Sequence, residues 1–287
     1  MTPAGWPESA ATVERWVRAT LASSAQGVEG LERMRITAAL DGDDLDLTVD
    51  ATGVSLLLTA QARDDQARGA ASSADPEPPV AARRPGVARS LRLVAHPVLI
   101  DGFAVRIDGE LHDLPIEWIV YDRERTAGRA ETRMTLAARD DLSGSRGAFA
   151  ASMASADLGA LAERVGRAAL GPEGVHVNDV GLDIRPDGAE GITIRARGRV
   201  RWRLVSASAR ASARLSFSPD GLVTIRDLRV RSANPLVAIA LRAVRGRIRA
   251  QIGRTIDLNE TAAPGSPRIH ALKVRAGDEL SVEFRWS

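Results

Sequence analysis

The sequence predicts an α+β protein made of many long antiparallel strands, two substantial helices and short turns. Alternation of apolar and polar residues at period two recurs along most of the chain, punctuated by Gly, Asp, Asn and Pro. Substantial helical periodicity is confined to 157–170 and 235–253. Strands and helices do not alternate as β-α-β units, so a doubly wound parallel sheet is not expected. The 287 residues are read as a single domain, 1–287. The roughly 60 residues ahead of a long polar insertion are too few for a comfortable core of their own.

Each element has its own signal. Ser9 to Leu21 predicts a short amphipathic helix docked on the domain, with Val13, Trp16, Val17 and Leu21 on one face and Glu14, Arg15 and Arg18 elsewhere. LERMRITAAL, DLDLTVD and VSLLLTAQAR read as strands. The first two are joined by a hairpin turn at Asp41–Asp44, whose carboxylates lack the spacing of a calcium loop. From Asp64 to Gly86 the chain is rich in Ala, Ser, Pro and charge without apolar periodicity, which predicts a disordered insertion at about 64–88. Strands resume with ARSLRLVAHPVLI, FAVRIDGELHDL, PIEWIVYDR, AETRMTLAAR and GAFAASMAS. Asp157 opens a helix with Leu158, Leu161, Ala162 and Val165 on one side, stopped at Gly171-Pro172. GVHVNDVGLDIR, the stretch Gly191–Phe217 and GLVTIRDLRVRS form a second strand series. Asn234-Pro235 supplies an N-cap and a proline at the first helical position. The helix it opens should run to Gly253, with Leu236, Ile239, Ala240, Ala243, Val244, Ile248 and Ile252 as its apolar stripe. RIHALKVR and ELSVEFRWS close the chain as a hairpin across Ala276-Gly277-Asp278.

Composition removes several function classes. Without cysteine there is no disulfide, no thiolate metal site and no thiol nucleophile. His96, His112, His176 and His270 are scattered, none at metal-ligand spacing from another. His112-Asp113 puts adjacent strand residues on opposite faces, so the two are not expected to cooperate. G-x-S-x-G, G-x-G-x-x-G, P-loop and H-E-x-x-H motifs are missing. No catalytic residue, metal or cofactor is expected, and the chain is read as not an enzyme. The N-terminus lacks an apolar signal region, and no stretch approaches the ~20 apolar residues that span a bilayer. The expected location is cytoplasmic, peripheral at most to the inner face of the membrane.

Charge is uneven. Residues 1–150 carry 17 basic and 23 acidic groups, whereas residues 151–287 carry 22 and 14. Of 39 basic residues only Lys273 is a lysine. That bias marks codon usage and discounts arginine richness in itself. A local basic field nevertheless holds anions, phosphates or an acidic surface.

The field is densest in GITIRARGRVRWRLVSASARASARLSF, Gly191 to Phe217. Arg195, Arg197, Arg199, Arg201 and Arg203 alternate with Ile194, Ala196, Val200, Trp202 and Leu204, which puts them on one face of a strand as candidate anion or phosphate contacts. The phase slips by one residue at Leu204-Val205, which means a bulge in one long bent strand or a tight turn between two. Beyond it Ala207, Ala209, Ala211 and Ala213 share a face. A row of alanines predicts either close helix-on-sheet packing or space kept for an acyl chain.

From about residue 90 onward, and most clearly from Ala156 to Trp286, the chain resembles the LmeA-like phospholipid-binding proteins of actinobacteria, relatives of the tubular lipid-binding proteins. The resemblance lies in ADLGALAERVG, four strands ending in DGLVTIRDLRV, a long amphipathic helix, then PRIHALKVRAGDELSVEFRW; HPVLIDGFAVRIDGEL is compatible with the earlier part. It implies a long curved antiparallel sheet wrapping one or two long amphipathic helices. It also implies a non-catalytic protein that binds or carries phospholipid, or another acyl-chain lipid, in an apolar tunnel. Leu236, Ile239, Ala240, Val244 and Ile248 of the helix would line the tunnel with Ala207, Ala209, Ala211 and Ala213. The arginines would meet lipid phosphate or an anionic membrane. The alternative is a protein–protein or scaffold module of the same fold with a filled core. Nucleic acid is not expected, because aromatics are 3% of the chain and stacking surfaces need them.

Overall fold

Alternating β-branched and aliphatic residues give strands, of which the described residues form fifteen, the longest of 21 residues. The computed structural model describes residues 6–24, 28–57, 79–122, 133–170, 175–202, 205–232, 234, 246, 249–260 and 267–287. A ten-stranded sheet contains β1 (Val28–Glu29), β2 (Arg35–Asp41), β3 (Asp44–Asp50), β4 (Ser55–Leu56), β5 (Val80–Ile100), β6 (Phe103–Tyr121), β7 (Met134–Ala138), β8 (Arg146–Ala154), β14 (Ile269–Arg275) and β15 (Glu279–Trp286). Its main path is β1-β4-β5-β6-β8-β15-β14; β2 pairs with β3, β3 also with β5, and β7 with β6. A five-stranded antiparallel sheet follows the order β13 (Thr255–Asp257), β12 (Leu222–Ser232), β11 (Val205–Phe217), β10 (Gly191–Trp202), β9 (Val175–Pro186). The helices α1 (Ala10–Ser24) and α2 (Leu158–Leu170) flank them. The coarse class, α+β with mainly antiparallel strands, is the one expected. β3 and β4 depart from it by running parallel to β5.

The core sits where α1 covers one end of the large sheet. Val13 and Val17 of α1 are buried against a cluster that includes Ile36, Leu45, Ala88, Ile116 and Trp118, while Trp16 and Leu21 pack at its margin. Trp118 is fully buried. Its indole N–H donates to the Asp43 carbonyl at 2.8 Å, and its ring meets Trp16 edge-on at 6.3 Å. Glu14 accepts the Ala38 backbone N–H at 3.0 Å, which ties the helix to β2. The Asp41–Asp44 hairpin forms as expected, with Gly42 at φ 65 in its turn.

Two expectations change, one open alternative is resolved, and one expected element lies largely outside the described residues. Residues 80–88, read as part of the insertion, belong to β5, where Ala82 to Ala88 pair with Val120 to Leu114 of β6. Pro85 is tolerated there because β3 joins β5 only from Ala88, and among the described residues no strand pairs with the earlier segment on that side. Residues 58–78, the greater part of the insertion, lie outside the described residues. FAVRIDGELHDL and PIEWIVYDR, read as two strands, are the single strand β6. Asp113 at φ 55 passes its inward phase from Val105 and Ile107 to Leu114, Ile116, Trp118 and Val120. The phase slip at Leu204-Val205 separates two strands, because Trp202 of β10 pairs with Val205 of β11. Finally, Leu236, Ile239, Ala240, Val244 and Ile248 of the expected long helix lie outside the described residues. Its described end is helical at 246 and 249–250 and turns at 251–253, with Gly253 at φ 84 and Ile252, expected on the apolar stripe, 40% exposed.

Candidate anion-binding site on the five-stranded sheet

The site begins with register. β10 and β11 pair so that Arg197 faces Arg210, and β11 pairs with β12 so that Arg210 faces Arg231. One row across the sheet therefore reads Gly181, Arg197, Arg210, Arg231. The adjacent row reads Asp183, Arg195, Ser212, Arg229. Directly paired residues share a face, so five arginines from three strands converge. They line a groove of about 660 Å³ together with Gly181, Asp183 and Ser212, and with Leu182, Ala196 and Ala211.

α2 packs against β9, the edge strand that carries Gly181 and Asp183. Between Arg197 and Arg199 the β9 register shifts from Gly181 to Asn178, and Asp179 adopts φ 53, the mark of a bulge. The bulge frees the Val180 N–H, which donates to Glu163 of α2 at 3.1 Å. Arg167, one turn along α2, pairs with the same carboxylate. These two donors hold the Glu163 carboxyl below the usual carboxylate range, the Val180 N–H foremost. The helix approaches β9 closely because Gly159 has no side chain: a Cβ there would stand 2.7 Å from the Val180 carbonyl oxygen. Leu158, Leu161 and Ala162 of the expected helix face are half-buried and Gly159 beside them is buried, whereas Val165 is 39% exposed. Gly181 likewise leaves room for the Arg197 side chain, whose Nε would lie 2.6 Å from a Cβ at that position.

The electrostatics are unbalanced in a specific way. The carboxylates in and around the groove are already engaged: Asp183 with Arg185 at 3.0 Å, Asp179 with Arg199 at 3.4 Å, and Asp227 with Arg229 at 3.1 Å and Arg214 at 3.5 Å. Arg195, Arg197, Arg210 and Arg231 have no carboxylate partner among the described residues. Like charges directly opposite one another across strands repel. A groove that concentrates four such guanidinium groups is disposed to hold an anion.

Of the arginines expected from sequence, Arg195 and Arg197 line the groove. Arg199 points to the same face and is committed to Asp179. Arg201 continues β10, and Arg203 lies outside the described residues. Sequence reasoning missed Arg210, Arg229 and Arg231. Their signal was the alternation in SASARASAR and RDLRVRS, which identifies a face only once the strand pairing is known.

The alanine row takes the other phase. Ala207 is buried at 9% and Ala209, Ala211 and Ala213 are half-buried. They stand opposite Val200, Gly198, Ala196 and Ile194. A second apolar surface, also missed, crosses the large sheet, where Leu93, Gly109, Phe149, Phe284 and Leu272 fall in register over five strands. Phe149 and Phe284 are 5.2 Å apart at their centroids, and Phe284 and Trp286 5.5 Å. The three rings are half-buried and Leu93 is 40% exposed. Trp286 lies over Gly147, where any side chain would displace it. Among the described residues, no group of three or more His, Asp or Glu is placed to hold a metal ion, and no helix is long and apolar enough to cross a membrane. Compared with protein-family models, with curated proteins and with solved structures, the chain matches none of them.

Proposed function

We propose that the chain is a non-catalytic protein that binds or carries phospholipid, with lipid phosphate held in the arginine groove. The observation that carries this reading is the in-register row of Arg197, Arg210 and Arg231, with Arg195 beside it, left without carboxylate partners among the described residues. Each basic side chain near an anionic lipid surface contributes about 1 kcal/mol, screened by salt. The apolar band of exposed Leu93 and half-buried Phe149, Phe284 and Trp286 supports a place for acyl chains. In the finer form of the reading, the sheets curve around the helix of 235–253 in the manner of the tubular lipid-binding proteins. Leu236, Ile239, Ala240, Val244 and Ile248 then face the small side chains of Ala207 to Ala213 across the tunnel, and the protein works at the inner face of the membrane. A protein–protein module with a filled core is the second reading, favoured by the burial of Ala207.

Native mass spectrometry and organic extraction of the purified chain test the proposal, together with uptake of a fluorescent phospholipid. Co-purified lipid, or uptake that falls when Arg197 and Arg210 are replaced by serine, is expected. A lipid-free protein that takes up no phospholipid leaves the filled-core module.

A further inference from the structure

We propose that the arginine groove is built for a group carrying two linked phosphates, a diphosphate, rather than for a single phosphate. This rests on the reading of the arginine face as phosphate-binding and is independent of the lipid tails.

Charge sets the first constraint. Arg195, Arg197, Arg210 and Arg231 bring four positive charges with no carboxylate partner among the described residues. One phosphoryl group supplies about −1.5 to −2 and leaves half of that charge uncompensated. Two linked phosphates share an uncharged bridging oxygen and carry less than twice that charge, yet they compensate more of the four positive charges than one does.

Spacing sets the second. Arg197, Arg210 and Arg231 occupy three adjacent strands, so their backbones span roughly 9–10 Å across the sheet at ~4.8 Å per strand. Arg195 lies in the next row, about 7 Å along the strand. Guanidinium groups on flexible stems reach a compact anion between them from both rows, and each presents paired N–H donors suited to phosphate oxygens. Ser212, between Arg195 and Arg229 in the second row, adds a hydroxyl donor.

The boundary sets the third. Asp179 and Asp183 close the β9 side and Asp227 the β12 side, each held by a neighbouring arginine. Asp183 lines the groove itself, so the anion belongs toward the Arg197–Arg210–Arg231 row and away from β9 at that level. Carboxylates on both flanks suit a compact ligand and disfavour an extended polymer running across the face.

Isothermal titration of the full chain at low salt tests this with inorganic phosphate, pyrophosphate and a long-chain alkyl diphosphate. Pyrophosphate is expected to bind at least about tenfold more tightly than phosphate, the difference one additional charge-assisted contact makes. Arg197→Ser and Arg210→Ser are each expected to weaken pyrophosphate by about tenfold, whereas Arg199→Ser, which removes an arginine already paired, leaves it unchanged. Far-UV circular dichroism checks the fold of each variant. Competition of pyrophosphate against phosphatidylglycerol vesicles on the unmodified chain needs no variant at all. Tighter binding of the alkyl diphosphate than of pyrophosphate assigns the diphosphate to a lipid headgroup, and equal binding assigns it to a free ligand. Equal affinity for phosphate and pyrophosphate, or pyrophosphate binding indifferent to Arg197 and Arg210, overturns the proposal. Vesicle binding that pyrophosphate cannot displace overturns it while leaving the phospholipid reading intact. Pyrophosphate binding without any lipid binding does the reverse.

Discussion

Arg210 stands between two arginines, Arg197 on one strand and Arg231 on the other. A side chain selected only for folding would not be charged there, because opposed like charges on neighbouring strands cost roughly 0.2–1 kcal/mol. Arg210→Gln is therefore expected to raise the urea midpoint at low salt while weakening anion binding. The stabilisation should shrink at high salt, where the repulsion it relieves is already screened. A variant that lost stability at low salt would show Arg210 to be structural. Gly159 gives the opposite lesson. Replacing glycine by alanine in a helix normally stabilises by up to about 1 kcal/mol. Here the added Cβ would stand 2.7 Å from the Val180 carbonyl and push α2 off β9. Gly159→Ala is expected to destabilise by about 1–3 kcal/mol, as overpacking does, read as a lower denaturation midpoint. At this scale the arginine face of β10 was legible from alternation alone. Its continuation onto Arg210, Arg229 and Arg231 was not, since alternation within one strand says nothing about which strand lies beside it.

Strands and helices carry the next set of consequences. α2 is fastened to the β9 bulge by one carboxylate, Glu163, which accepts the Val180 N–H and pairs with Arg167. The folded chain holds this carboxyl below its ordinary value of 4.5. A depressed folded-state pKa contributes stability that is present above the unfolded value and lost as pH falls through the folded one. The α2–β9 contact should therefore be intact from neutral pH down to about 4.5 and loosen in more acid solution. Glu163→Gln should be less stable than the parent chain at pH 7, and its melting temperature should fall less steeply between pH 5 and pH 3. Parallel slopes in the two proteins would show that Glu163 is not the group responsible. The elements themselves were largely readable: α1, the Asp41–Asp44 hairpin, α2 and the closing hairpin all follow local signals. The start of β5 did not, because VAARRPG holds two arginines, a proline and a glycine. Only its pairing with β6 makes it a strand, and Pro85 sits where no described strand pairs on the other side. That β10 and β11 are two paired strands was one of two options at Leu204-Val205, and the choice depended on a pairing that periodicity does not encode.

On the scale of the whole molecule, apolar burial among the described residues is concentrated at one end. The cluster around Val13, Leu45, Ile116 and Trp118 holds the α1 end of the large sheet. Among the described residues of β9 to β13, by contrast, Ile192 and Ala207 are the buried apolar side chains. Alanine contributes little transfer free energy when buried, and hydrophobic stabilisation scales with the apolar area removed from water. The five-stranded sheet also carries the repulsion of its arginine rows, so it should be the part of the chain that opens first. Hydrogen exchange followed by mass spectrometry is expected to show β9 to β12 exchanging well before β2, β3 and the α1-covered segments of β5 and β6. A ligand that binds the folded groove stabilises it by about 2.7 kcal/mol at one hundred times its dissociation constant. Saturating pyrophosphate should therefore slow exchange in β10, β11 and β12 and leave the α1 core unchanged. Protection that rises equally in both sheets would mean that they open as one cooperative unit. Protection confined to the Leu93–Phe149–Phe284 band would place the anion elsewhere. Slowing limited to the strands that carry Arg197, Arg210 and Arg231 would tie the least stable part of the fold to its ligand, since the charges that weaken this sheet when empty are the ones that bind.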